Sequence, residues 1–210
     1  VRNFAENQYY HVFNRGVEKR KIFMDGQDYN MLLYYLFIYL APLEKVLEKY
    51  PHLPLRLQAK NLSIELDLIA YCLMPNHFHL LLKQKNKDTI SKFMKQITNG
   101  YTIYFNNKYE RVGGLVQGRF KAVAIEKDEL LLHISRYIHL NPIASNLVKN
   151  LKDYKWSSYL SYIDKAPDFV CKKEIVLSCF PSLKKYEEFV MDQISYSREL
   201  EKIKHLILED

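Results

Sequence analysis

Glycine and proline are scarce in this 210-residue chain, at 6 and 7 residues, while 48% of its residues are hydrophobic. That balance excludes a collagen-like, linker-rich or disordered polypeptide and leaves ample material for a packed core. Cysteine is scarcer still. Cys72, Cys171 and Cys179 are odd in number and include no CxxC pair, so a disulfide framework is not indicated and reduced thiols are expected. Long apolar runs are also missing: the richest stretch, Tyr29 to Val46, is interrupted by Asn30, Pro42, Glu44 and Lys45, short of the ~20 clean residues a membrane span needs. Val1 to Tyr10 lack the apolar core and small-residue cleavage site of a signal peptide. A cytoplasmic protein with no membrane partner is the expectation.

Acidic residues are outnumbered. Thirty-one Lys and Arg against 24 Asp and Glu give a net charge of +7, the electrostatic footprint of a protein that meets polyanions. The 17 Tyr and 11 Phe offer rings for stacking bases or for filling a core. Nucleic acid is therefore the leading partner class. At about 150 residues per domain, the length suits one compact domain with an extension.

Residues 8–14 (QYYHVFN), aromatic and β-branched and closed by Arg15-Gly16, read as a strand and turn. Helical spacing of apolar residues then runs from Asp28 to Leu47, bent or broken at Pro42. Residues 62–73 (LSIELDLIAYCL) and His77 to Lys83 (HFHLLLK) read as two strands joined across Met74-Pro75-Asn76, a break short enough for an antiparallel hairpin. A second helix is expected from Asp88 or Thr89 to about Asn107, a fourth strand over 120–125, and a third helix from near Asp128 to Asn141-Pro142, where the proline should stop it. This order is the βαββαβ pattern of an α+β, ferredoxin-like fold with an antiparallel sheet. The chain divides into a domain over 1–163 and a helical C-terminal extension over 164–210, with helical segments at Lys172 to Cys179 and Ser182 to Leu208. The fold hosts many functions and decides no chemistry.

The chemistry rests on two short segments. In His77-Phe78-His79 the two imidazoles lie two residues apart on a strand, so both project from one face while Phe78 enters the other layer. Two imidazoles on one rigid face make half of a divalent-metal site, although an isolated HxH is more often a pair of core histidines. In Tyr137-Ile138-His139-Leu140-Asn141-Pro142, Tyr137 and Asn141 share nearly one helix face and His139 lies about 200° away from Tyr137. A phenol beside a carboxamide oxygen supplies a nucleophile and a further ligand; the plain alternative is a core tyrosine and a helix-ending asparagine.

With these segments in view the chain resembles the HUH (His-hydrophobic-His) single-strand endonucleases, and within them the REP-associated tyrosine transposases of the IS200-like, or Y1, family. The resemblance runs over about residues 8–162. It is carried by Tyr10-His11-Val12-Phe13-Asn14-Arg15-Gly16, Ala70 to Leu81 with its Met74-Pro75-Asn76-His77-Phe78-His79 centre, Gln117-Gly118-Arg119-Phe120-Lys121, Tyr137 to Pro142, and Trp156-Ser157-Ser158-Tyr159. It implies that His77, His79 and Asn141 hold Mg²⁺ or Mn²⁺. It also implies that Tyr137, on the helix after the fourth strand, is the single nucleophile, cutting one DNA strand through a 5′-phosphotyrosine and rejoining it, at sites associated with hairpins. Two imidazoles suit Mn²⁺, Zn²⁺ or Ni²⁺ better than Mg²⁺, which leaves the physiological metal open. Arg136, Lys121 or the metal are candidates for assisting ionisation of the phenol.

Arg15, Arg119 and Lys121 lie at strand ends or in the loop before a strand, and with Arg136 beside the tyrosine they are the expected DNA contacts; solvated charge is the alternative. Single-stranded or hairpin DNA is the expected partner, and the resemblance admits a homodimer as well as a monomer. Two rival readings stand. A replication initiator or relaxase-type nickase would use Tyr101 or Tyr104 of the Tyr-x-x-Tyr pair, which at helical spacing also suits a core stripe. A domesticated protein would bind nucleic acid without cleaving it, as RNA-recognition sheets do by stacking. Trp156, the one tryptophan, is expected to pack beneath the site.

Overall fold

In the computed structural model the described residues are 4–167 and 170–194. The elements in order are β1 (Gln8–Arg15), α1 (Gly26–Leu40), α2 (Leu43–Lys49), α3 (Leu55–Gln58), β2 (Leu66–Met74), β3 (His77–Gln84), α4 (Thr89–Lys108), β4 (Lys121–Ile125), α5 (Asp128–Ala144), α6 (Tyr159–Tyr162), α7 (Glu174–Leu177) and α8 (Leu183–Met191). The strands form one sheet in the order β2-β3-β1-β4, every neighbouring pair antiparallel. This is the ferredoxin-like arrangement, with β3 inserted between β1 and β2.

Local chemistry sets the boundaries. Asp25 begins α1 through a capping box: its carboxylate accepts the Gln27 and Asp28 N–H groups, while the Asp28 carboxylate accepts from the Asp25 N–H. The expected break at Pro42 separates α1 from α2. The third helix departs from expectation, because α5 continues through Pro142 to Ala144. A proline removes one N–H from the ladder. Here the following turn is closed instead by the Ser145 N–H on the Asn141 carbonyl at 2.9 Å and the Leu147 N–H on the Pro142 carbonyl at 2.9 Å, while Ile143 is buried in the core.

The sheet is covered on both faces. Tyr10 and Val12 of β1 and Phe78, Leu80 and Leu82 of β3 pack with Leu32 and Leu36 of α1 and Phe93 and Ile97 of α4. On the other face Ala70, Cys72 and Leu81 pack with Ile138 and Leu140 of α5, and Val176, Tyr186 and Val190 of the C-terminal extension join that same core. The extension is therefore packed against α5 rather than detached from it. The helix expected over 182–208 is α8 in its first part; positions 195–208 lie outside the described residues.

Residues 156–158 protect the free edge of β2. The Leu73 N–H donates to the Trp156 carbonyl and the Ser158 N–H to the Tyr71 carbonyl, with Cys72 and Ser157 bridged between them, so the edge is not open to pairing with another chain. The Trp156 ring stacks on Tyr29 of α1, with centroids 4.4 Å apart and planes 10° from parallel. Partly buried, it packs against both the α1/α4 core and the α5 core at this sheet edge.

Candidate active site

The tight Pro75-Asn76 turn between β2 and β3 starts β3 at His77. Strand alternation then sends Phe78, 3% exposed, into the α1/α4 layer and both histidines to the α5 face. Register brings further residues to the same face, because directly opposed residues of an antiparallel pair project together. Arg15 lies opposite His77, Phe13 opposite His79, and Lys121 of β4 opposite Phe13. His11, two residues before Phe13, completes the group. Tyr137 of α5 is half-buried above it, its ring 5.6 Å from that of His79 and 5.8 Å from that of His11, edge-on to both.

The imidazoles are tied at defined atoms. His79 Nδ1 lies 2.9 Å from His11 Nε2, and both side chains are buried. His77 Nδ1 lies 2.7 Å from Asn76 Oδ1. The His77 and His79 rings are perpendicular with centroids 4.9 Å apart. The loop after β1 wraps over the Pro75-Asn76 turn: the Gly16 N–H donates to the Asn76 carbonyl at 2.8 Å, Asn76 Nδ2 donates to the Lys19 carbonyl at 3.1 Å, and the Ile22 and Phe23 N–H groups both donate to the Pro75 carbonyl. Glu18 and Lys19 adopt φ of 55° and 59°, an uncommon conformation for two successive residues with side chains, and one that concentrates at functional sites. Gly16 is required by close approach, since a Cβ there would sit 2.2 Å from the Arg20 carbonyl oxygen.

His11 is the member of this cluster to which sequence reasoning assigned no role. The available signal was its alternation with Tyr9 and Phe13, which puts it on one face of β1; its pairing with His79 depends on strand register.

The remaining candidates are distributed unevenly. Asn141, 1% exposed, lies one turn beyond Tyr137, and its Nδ2 donates to the Tyr137 carbonyl at 2.9 Å. Arg15 is half-buried at the end of β1, and its Nε is buried with no hydrogen-bond partner. Arg119 and Lys121 are exposed. Arg136 is tied to α8: its guanidinium lies over the Phe189 ring at 4.2 Å, donates to the Phe189 carbonyl, and pairs with His133 Nδ1 at 2.7 Å.

The donor set suits part of a divalent-cation site. His77 and His79 project from one strand, with His77 Nδ1 against Asn76 Oδ1 and His79 Nδ1 against His11 Nε2, the kind of outer partner that orients a ligating imidazole. Among the described residues no group of three or more His, Cys, Asp or Glu side chains could hold a metal. A cation bound there would draw its other ligands from phosphate oxygens and water.

Two nearby groups belong to the scaffold. His139 is fully buried, with Nδ1 2.7 Å from the Tyr186 hydroxyl and Nε2 2.7 Å from the Ser158 hydroxyl. Burial pushes its pKa down to about 3, so it is neutral and joins α5 to α8 and to the β2 edge. Tyr101, 3% exposed, donates to the Ile22 carbonyl, and Tyr104 donates to Asp28. Both sit in the α1/α4 layer, on the opposite face of the sheet from the histidine pair, so the Tyr-x-x-Tyr pair does not share a site with it.

Among the described residues no helix is long and apolar enough to cross a membrane. Residues 44–141 match the family described as transposase IS200 like, an interval that contains His77, His79, Tyr137 and Asn141. A Haemophilus influenzae protein named as a REP-associated tyrosine transposase is 28% identical over 103 residues, a match spanning 44% of this chain and 58% of that relative's length. In fold the chain is similar to a REP-associated tyrosine transposase solved bound to a REP hairpin, with a TM-score of 0.55 at 17% identity, covering 81% of this chain and 92% of the other.

Proposed function

We propose that this chain, whose residues 44–141 match the family described as transposase IS200 like, cuts and rejoins single-stranded DNA next to a hairpin, with Tyr137 as nucleophile. The observation that carries this reading is the position of the Tyr137 ring over His79 and His11 on the sheet face that also presents His77 and Arg15. The likeness to a protein solved with a REP hairpin supports a hairpin-bearing strand as substrate.

In this reading the scissile phosphate lies at the His77 end of β3. Arg15, whose Nε lacks an internal partner, offsets its charge, and the exposed Arg119 and Lys121 hold flanking phosphates. A divalent cation held by His77, His79 and Asn141 would supply further charge neutralisation and orientation of the phosphate oxygens. The Tyr137 hydroxyl oxygen attacks phosphorus and the bond to the 3′-oxygen breaks. The phenolic proton ends on the departing 3′-hydroxyl, and the 5′-phosphate stays esterified to the tyrosine. One ester replaces another, so the bond remains available for attack by a second 3′-hydroxyl, which returns the tyrosine and seals a new strand. Arg136 is proposed to act on DNA indirectly, by fixing the outer face of α5 against Phe189.

A hairpin oligonucleotide incubated with the protein and Mn²⁺ or Mg²⁺ tests this. A covalent protein–DNA adduct that withstands denaturation is expected, and Tyr137→Phe should abolish it. An adduct that survives this substitution, or persists in Tyr137→Phe and disappears in Tyr101→Phe, refutes the assignment.

A further inference from the structure

We propose that His11 and Asn76 are positioning residues that hold His79 and His77 as Nδ1–H tautomers, so that both imidazoles offer Nε2 to a divalent cation; this rests on the metal reading of the histidine pair above. The argument for His77 is one of donors and acceptors. Asn76 Nδ2 donates to the Lys19 carbonyl, which orients the carboxamide so that Oδ1 faces His77 Nδ1 at 2.7 Å. An amide oxygen only accepts, so the proton is on Nδ1, and in the neutral ring the lone pair is then at Nε2. Asn76 is itself immobilised, because its carbonyl accepts the Gly16 N–H and the loop after β1 closes over the turn.

For His79 the partner comes from the neighbouring strand. Its Nδ1 lies 2.9 Å from His11 Nε2 with both rings buried, and the two rings are near-parallel, 24° apart, with centroids 5.0 Å apart. One of these nitrogens donates and the other accepts. When His79 serves as a ligand through Nε2, its Nδ1 is the donor and His11 Nε2 the acceptor, which places the His11 proton on Nδ1. His11 is wedged between Phe13, at 5.1 Å, and Tyr137, at 5.8 Å, so its ring has little freedom to turn away. One ligand is thus fixed by a turn residue next to it in sequence, the other by a side chain 68 residues away. Outer partners of this kind commonly affect metal affinity 10–100-fold.

The test uses the intact protein, ¹⁵N-histidine NMR without metal at alkaline pH, and Mn²⁺ titration by calorimetry. Wild type should show His77 and His79 as Nδ1–H tautomers. His11→Phe keeps a ring against Phe13 and Tyr137 but removes the acceptor; it should release the His79 tautomer, leave that of His77 unchanged, and weaken Mn²⁺ binding about 10–100-fold. His11→Gln restores an acceptor and should recover most of the affinity. Asn76→Asp, which keeps the accepting oxygen, should bind Mn²⁺ at least as tightly as wild type. An Nε2–H tautomer at His77 or His79 in wild type, or unchanged Mn²⁺ affinity in His11→Phe, overturns the proposal. Wild-type protein with both Nδ1–H tautomers that binds no Mn²⁺ sustains the hydrogen-bond assignment and overturns the metal reading instead.

Discussion

Acid should destabilise this protein through His139 well before its carboxylates protonate. The imidazole is 0% exposed and lies within 2.7 Å of two neutral hydroxyls, those of Tyr186 and Ser158, and the rings of Tyr159 and Tyr162 also line it. Nothing charged stands among these neighbours to stabilise an imidazolium, so burial lowers the pKa to about 3, against about 6.5 in the unfolded chain. A group with a depressed folded-state pKa contributes its full stabilisation above the unfolded value and loses it as pH falls toward the folded one. Between pH 7 and pH 4.5 the loss is therefore about 2 to 3 kcal/mol, at about 1.4 kcal/mol per pH unit. The window excludes the carboxylates Asp25, Asp28 and Glu188, whose pKa values lie below the usual range. The assay is urea denaturation of wild type and His139→Gln at both pH values. The variant should be less stable at pH 7 and should lose about 2 to 3 kcal/mol less than wild type between the two. The other histidines are common to both proteins, so the difference isolates His139. Equal losses in the two proteins would refute the argument.

Lys121→Ala should weaken hairpin binding without abolishing the Tyr137 adduct, and should reduce the slope of log K against log salt by about one, measured by fluorescence anisotropy. Gly16→Ala forces a Cβ to within 2.2 Å of the Arg20 carbonyl oxygen and should cost about 1 to 3 kcal/mol of stability in a chemical melt, with lower adduct yield because the loop it distorts holds Asn76. Asp28→Ala removes a fully buried carboxylate that accepts from the Met24 N–H, Lys108 and the Tyr104 and Tyr109 hydroxyls. Burial alone would raise its pKa, but these donors, Lys108 foremost, hold it below the ordinary value. The substitution should destabilise by about 3 to 5 kcal/mol, read by urea unfolding, because it strands the groups that faced it.

What the chain's one-dimensional pattern determines is whatever depends on residues close in sequence. Periods of two and 3.6 place His77 and His79 on one strand face with Phe78 on the other, put Tyr137 and Asn141 one turn apart, and mark the break at Pro42. The βαββαβ order follows from the same signals. Pro142 exposes the limit of local rules: a residue that ordinarily ends a helix stays inside α5, where packing of the last turn outweighs one missing hydrogen bond.

Tertiary structure alone decides which distant groups meet. His11 reaches His79 across the β1–β3 register, and a slip of one residue would send it to the other face. Arg136, next to the tyrosine in sequence, is drawn onto Phe189 by α8, a helix the local pattern marks but whose packing against α5 it does not set. The tyrosines Tyr101 and Tyr104, similar in sequence terms to Tyr137, are separated from the histidines by the full thickness of the sheet. Side-chain type and spacing write the reactive groups into the sequence, whereas their partners are set by strand pairing and layer packing, which join residues that sequence distance keeps apart.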